Sequence, residues 1–194
     1  MKSCKSAVIL LLVALAVVNN SDAAYDAVKY VSVDAYIGRW YQTHSNIFAD
    51  FFADISDSEC VTATYGPIND TFVTVLNAYK TRDGLEDQIG GYAYIADVKE
   101  PGKLFVALDG VPIDSPYWIL KLGPMKDNMY EYSIISDNAG LSLFVLARDV
   151  PRFEELYESE VVEYLTLTGF TGVKEPIKEY HGSDCEYPPF PLAK

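Results

Sequence analysis

Apolar and polar residues alternate along most of this chain in short runs, and each run stops at a turn signal. Alternation with a period of two over about four to eight residues is the pattern of a half-buried strand. The runs cover residues 40–46, 60–65, 72–80, 88–96, 103–108, 117–122, 129–136 and 142–148. Between them stand Gly66-Pro67, Arg82-Asp83-Gly84, Pro101-Gly102, Asp109-Gly110, Gly123-Pro124 and Asp137-Asn138-Ala139-Gly140, residues suited to tight turns. Connections this short make neighbours in sequence neighbours in the sheet. The pattern predicts an all-β domain: an eight-stranded up-and-down antiparallel barrel, which closes such a meander without leaving an open edge.

The period changes over residues 151–168. Pro151 lies near the first turn, Glu154 and Glu155 follow at the positive end of the helix dipole, and Gly169 ends the run. Phe153, Leu156, Tyr157, Val161, Tyr164 and Leu165 make an apolar stripe at helical spacing. One C-terminal α-helix packed outside the barrel is expected; docking of a partner is the other use of such a stripe. The tail, residues 174–194, is extended, ends Pro-rich and carries Cys185.

Ahead of the first strand, Lys2 and Lys5 precede an unbroken apolar stretch over residues 7–18, and Ser21-Asp22-Ala23 offers small residues before a cut. That stretch is shorter than the roughly twenty residues of a membrane span. Residues 1–23 therefore read as a signal peptide and 24–194 as one secreted domain without a transmembrane segment. The formal net charge of −13 argues against nucleic acid and against an anionic membrane surface, both of which need clustered Lys and Arg. A receptor or self-association is not readable from the sequence.

Cys4 leaves with the leader, so Cys60 and Cys185 remain, an even pair in an oxidising compartment. Bridged, they would staple the tail to an early strand. Free, Cys60 would be a thiol inside a pocket and a candidate nucleophile. Asn69-Asp70-Thr71 is a glycosylation sequon in an expected turn. His44 and His181 are the only histidines, so a His-rich metal cage is ruled out and no zinc-ligand spacing occurs. No Gly-x-Ser-x-Gly is present. Neither a catalytic centre, a metal nor a cofactor is expected outside the Cys60 alternative.

The motifs point further. Gly38-Arg39-Trp40-Tyr41 opens the first strand; Cys60-Val61-Thr62-Ala63-Thr64-Tyr65, Val75-Leu76-Asn77, Tyr117-Trp118-Ile119-Leu120 and Phe144-Val145-Leu146-Ala147-Arg148 follow in order. Together they resemble the lipocalin family, and within it the apolipoprotein D and bacterial lipocalin branch. Two features depart from that branch: only one disulfide can form, and Lys121-Leu122-Gly123-Pro124 replaces the branch's loop motif after the sixth strand. The resemblance implies a barrel floor sealed by Trp40 beside Gly38, with the Arg148 guanidinium over the indole.

Every second residue of a barrel strand faces inward. With Trp40 inward, Gln42 and His44 follow. Tyr65 brings Ala63, Asn77 brings Val75, and Arg148 brings Leu146 and Phe144. Lys121 in water turns Trp118 and Leu120 inward; Glu131 in water leaves Tyr130, Tyr132 and Ile134 inside. This wall is aliphatic and aromatic with a few polar handles, which suits an apolar ligand carrying one or two polar groups. A filled core has the same composition. Phe48, Phe51 and Phe52 flank the open end or pack within their own loop. The expectation is a carrier or sequestering protein, not an enzyme, for a fatty acid, lipid, sterol or retinoid-like molecule. The alternatives are a tetrapyrrole or carotenoid binder and a thiol-dependent enzyme acting through Cys60.

Overall fold

The computed structural model describes residues 25–53, 58–81 and 84–189. The expected leader and the side chains of Phe51 and Phe52 lie outside the described residues. A one-turn helix, α1 (Val33–Tyr36), is capped by Ser32, whose Oγ accepts from the Ala35 N–H. It leads into β1 (Gly38–Ser45). Gly38 adopts φ +102°, and a Cβ there would stand 3.0 Å from Nη1 of Arg148, so the turn into β1 requires glycine.

The wall continues through α2 (Ile47–Ala53), β2 (Ser58–Asn69), β3 (Phe72–Thr81), β4 (Glu86–Ile95), β5 (Lys103–Leu108) and β6 (Ser115–Leu122). A small hairpin of β7 (Met125–Lys126) and β8 (Met129–Tyr130) precedes β9 (Tyr132–Ser136) and β10 (Leu143–Ala147). Pairing is antiparallel throughout, and β10 closes on β1 with Tyr41 opposite Ala147, giving a barrel of eight strands. Gly38 marks the bottom. Ser45, the loop over 137–142 and the loop over 109–114 lie at the top.

Three irregularities decide which side chains enter the barrel. Between β1 and β10 the register steps from Gln42↔Leu146 to His44↔Val145, leaving Thr43 as an extra residue. Between β6 and β9 it steps from Ile119↔Ile135 to Lys121↔Ile134, leaving Leu120 extra. The expected strand over 129–136 is split at Glu131, whose N–H donates to Pro124 O and whose carboxylate is held by Arg152 at 2.7 Å and by the Tyr157 hydroxyl. Each extra or broken residue reverses the alternation beyond it.

The core accordingly forms two layers. Inside the barrel, Trp40, Ala63, Tyr65, Val73, Val75, Ala93, Ile119, Ile135 and Leu146 pack around Tyr36 of α1. Outside, Trp118, Leu120, Tyr132, Ile134, Leu143 and Val145 pack against Phe153, Val161, Leu165 and Phe170. The C-terminal helix covers that outer face and is interrupted once, giving α3 (Val150–Leu156) and α4 (Glu158–Leu167) with Tyr157 at φ −127° between them. The bond from Tyr157 to Glu131 holds this break against the barrel. Asp149 caps α3 by accepting from the Arg152 N–H at 3.0 Å.

The tail completes the wall. β2 leaves β1 above Thr62, where Cys60 sits at φ +57°, and β11 (Ile177–Lys178) takes over the vacated edge of β1. Glu179 N–H donates to Thr43 O, and Cys60 N–H donates to Tyr180 O, both at 2.9 Å. Cys60 and Cys185 are joined in a disulfide, so the thiol-dependent alternative loses its nucleophile. No helix among the described residues is long and apolar enough to cross a membrane.

Candidate functional site

The floor is built by α1 and the two ends of the wall. Trp40 is fully buried, its indole N–H donating to Tyr36 O at 2.8 Å. The Arg148 guanidinium lies 3.7 Å from the indole centroid and donates to the carbonyls of Ala35, Tyr36, Ile37, Arg39 and Tyr130. Burial lowers its pKa to about 10, which leaves it cationic at neutral pH. One side chain thus ties α1, β1 and β8 together and satisfies carbonyls that a buried helix end would otherwise leave unpaired. Tyr130 belongs to this floor too; its hydroxyl accepts from the Ser32 N–H at 3.1 Å.

Directly above lies a chain of hydroxyls. Tyr36 Oη meets Ser133 Oγ at 2.9 Å and Tyr117 Oη at 2.8 Å, and Tyr117 Oη meets Tyr65 Oη at 2.9 Å. Burial raises all three phenol pKa values, that of Tyr36 to about 12, so the group stays protonated and neutral. Tyr36, Tyr117 and Ser133 were not expected here from the sequence. A tyrosine four residues before Trp40, in the run Val31-Ser32-Val33-Asp34-Ala35-Tyr36-Ile37 where only Ser32 and Asp34 are polar, is the signal that a plug enters the barrel from below.

Higher up, the inward-facing Leu104, Val106, Leu108, Tyr117 and Phe144 are only half-buried. Part of the surface of these inward-facing side chains is therefore open to solvent rather than packed against neighbours. Ala63, Tyr65, Val75 and Phe144 belong to this interior. Gln42 shares the inner face with Trp40, and Asn77 shares it with Val75. At the top, Gln42 Nε2 donates to Glu179 Oε1 at 3.0 Å, and Ser45 Oγ donates to Asp50 Oδ1 at 2.6 Å. Burial raises the pKa of both carboxyls. No cation among the described residues pairs with either of them.

Five residues expected inside lie elsewhere, Ile134 among them, in the layer against the helix. Trp118, Leu120 and Tyr132 face the helix layer, because the bulge at Leu120 and the break at Glu131 reverse the alternation assumed for them. His44 also points outward, past the bulge at Thr43; its Nε2 lies 3.4 Å from Glu158 Oε1 and its ring 6.1 Å from that of Phe153. Burial lowers its pKa. Outside the wall a cleft of about 420 Å³ runs between α3 and the tail, lined by Glu154, Lys178 and residues 179–182. Lys178 bridges Glu154 and Glu158 there at 2.9 and 2.7 Å. Glu179 borders this charged, solvent-facing groove and also the Gln42 side chain at the top of the barrel.

Asn69 is the exposed last residue of β2, at the turn into β3. Its side-chain oxygen accepts from the N–H groups of Thr71 and Phe72 and from the Thr71 hydroxyl, and its amide nitrogen has no protein partner among the described residues.

The sequence matches the family model of the Lipocalin-like domain over residues 31–174. Temperature-induced lipocalin-1 of Arabidopsis thaliana is 30% identical over 152 residues, 75% of this chain and 77% of that protein. Apolipoprotein D of Mus musculus is 33% identical over 88 residues, 45% of this chain, and the match spans only 44% of that relative. The tryptamine complex of the amine-binding protein of Rhodnius prolixus superposes with a TM-score of 0.54 at 17% identity, covering 79% of this chain and 83% of that one. With its closed eight-stranded barrel and the family match over residues 31–174, the chain belongs to the lipocalin family.

Proposed function

We propose that the protein is a secreted carrier that holds a small apolar molecule inside the barrel, by burial and without chemical conversion. The observation that carries this reading is the half-buried apolar wall of Leu104, Val106, Leu108 and Phe144 above a sealed floor. A ligand there gains about 25 cal/mol for each Å² of apolar surface removed from water, before ordering costs. Structural relatives support it, since one of them was solved with tryptamine. Secretion rests on the apolar leader ahead of residue 24, on the Cys60–Cys185 bridge and on the exposed sequon at Asn69, which we assign as glycosylated. With Cys60 bridged to Cys185, the thiol-dependent reading has no free thiol to act through.

Titration with a fluorescent apolar probe tests the reading. Val106→Trp fills the interior and should weaken binding at least tenfold. Trp118→Phe, on the helix side, should leave it within twofold. Absence of saturable binding to any apolar probe, or equal effects of the two substitutions, would sink the proposal.

A further inference from the structure

The hydroxyl chain contains one proton too many. Ser133, Tyr36, Tyr117 and Tyr65 bring four O–H groups to three mutual hydrogen bonds. Whichever way each bond points, one O–H is left without an acceptor. No other acceptor among the described residues engages any of the four. The group stays protonated, and a buried donor without an acceptor is costly. Tyr117, opposite Leu104 of β5, is the half-buried ring of the group and the one that reaches solvent.

The rest of the interior sets the charge of what completes it. Arg148 is the cation at the floor, and its N–H groups are taken up by five main-chain carbonyls beneath Trp40. A carboxylate lowered onto the tyrosines would therefore find no ion-pair partner. It would also pass Glu179 and Asp50, which have none either. Burying an unpaired anion is far more costly than burying a neutral oxygen.

We infer that this barrel selects apolar molecules bearing a neutral acceptor oxygen, such as a ketone, aldehyde or ester, and seats that oxygen on the one spare O–H of the group, at Tyr65 or Tyr117. The inference rests on the carrier reading and adds the ligand's chemical class and its orientation, oxygen downward.

Three naphthalenes of nearly equal shape, substituted at the same ring carbon, provide the test: the methyl ketone acetylnaphthalene, the hydrocarbon isopropylnaphthalene and the anion naphthoate. Calorimetric titration at neutral pH should give a Kd for the ketone about fivefold lower than for the hydrocarbon. It should be at least tenfold lower than for naphthoate. The Tyr65→Phe/Tyr117→Phe double variant confines the remaining spare O–H to Tyr36 and Ser133, beneath the substituted rings. In it ketone and hydrocarbon should bind within twofold of each other, with hydrocarbon binding retained as the check on folding. If that variant does not fold, the ranking in the parent protein decides. Equal Kd values for ketone and hydrocarbon, as when water alone completes the chain, overturn the inference and leave the carrier reading standing. So does naphthoate binding as tightly as the ketone. No saturable binding by any of the three overturns both.

Discussion

Removing the Cys60–Cys185 bridge by Cys60→Ala/Cys185→Ala should cost the barrel far more than a surface disulfide would. The bonded residues are 125 apart in sequence, so the bridge closes a loop spanning most of the wall. In the chain-entropy account a loop of that length contributes about 5 kcal/mol. The effect reaches the barrel as a whole only if the tail unfolds together with it, and the seam says that it does. β11 supplies the partner edge for His44 and Ser45, Tyr180 O accepts from Cys60 N–H, and His181 Nε2 donates to Gln42 O at 2.8 Å. The Tyr41 and Tyr187 rings add an edge contact with centroids 5.0 Å apart. In a domain of this size 1 kcal/mol corresponds to about 2–4 °C, so Tm should fall by about 10–20 °C in a thermal melt followed by circular dichroism. Hydrogen exchange should show the Glu179 and Cys60 amides losing protection along with the barrel amides. A fall of less than about 3 °C, or a tail that exchanges freely while the barrel stays closed, would refute the claim that the tail is part of the wall.

Arg148→Ala should destabilise by about 3 kcal/mol or more in denaturant titration, because buried carbonyls of α1 and β1 lose their donor; Arg148→Lys should recover little, since one ammonium cannot reproduce the planar fork. Gly91→Ala places a Cβ 2.1 Å from Ala107 O on the neighbouring strand and should cost about 2 kcal/mol or more, read as a lowered denaturation midpoint. His44 and His181 are both held below the usual histidine pKa by burial. The unfolded chain therefore takes up protons below about pH 6.5 before the folded one does. Stability present above that pH should fall as the solution is acidified toward the lower, folded-state values. Against a His44→Gln/His181→Gln variant, the parent's Tm should drop further between about pH 7 and about pH 5; parallel curves would refute this.

The barrel was legible because its pattern is redundant. Eight alternating runs, the turn residues between them and the motifs from Gly38 to Arg148 all describe one closed meander. The pocket was less legible because facing depends on counting by twos. Thr43, Leu120 and Glu131 are ordinary residues that nothing marks as extra or broken, yet each reverses the strand beyond it. Hence counting by twos puts His44, Trp118, Leu120, Tyr132 and Ile134 inside and passes over Tyr117 and Ser133. Glu179 was missed for another reason: a carboxylate in a Pro-rich tail enters a barrel only because that tail replaces a strand. Cys185 was the clue to that, since it ties the tail beside β2.

The shared edge of β1 has a consequence for how the protein is made. Its first strand finds one local partner in β2, but Tyr41 pairs with Ala147 and Ser45 with Ile177, both more than a hundred residues downstream. During synthesis that edge waits, with its N–H and C=O groups exposed, until nearly the whole domain has left the ribosome. Non-local pairing of this kind is slow, and an open strand edge invites the wrong partner in the meantime. Holding the nascent chain apart from its neighbours is therefore a task for chaperones, and the Cys60–Cys185 bridge can close only when that task is finished.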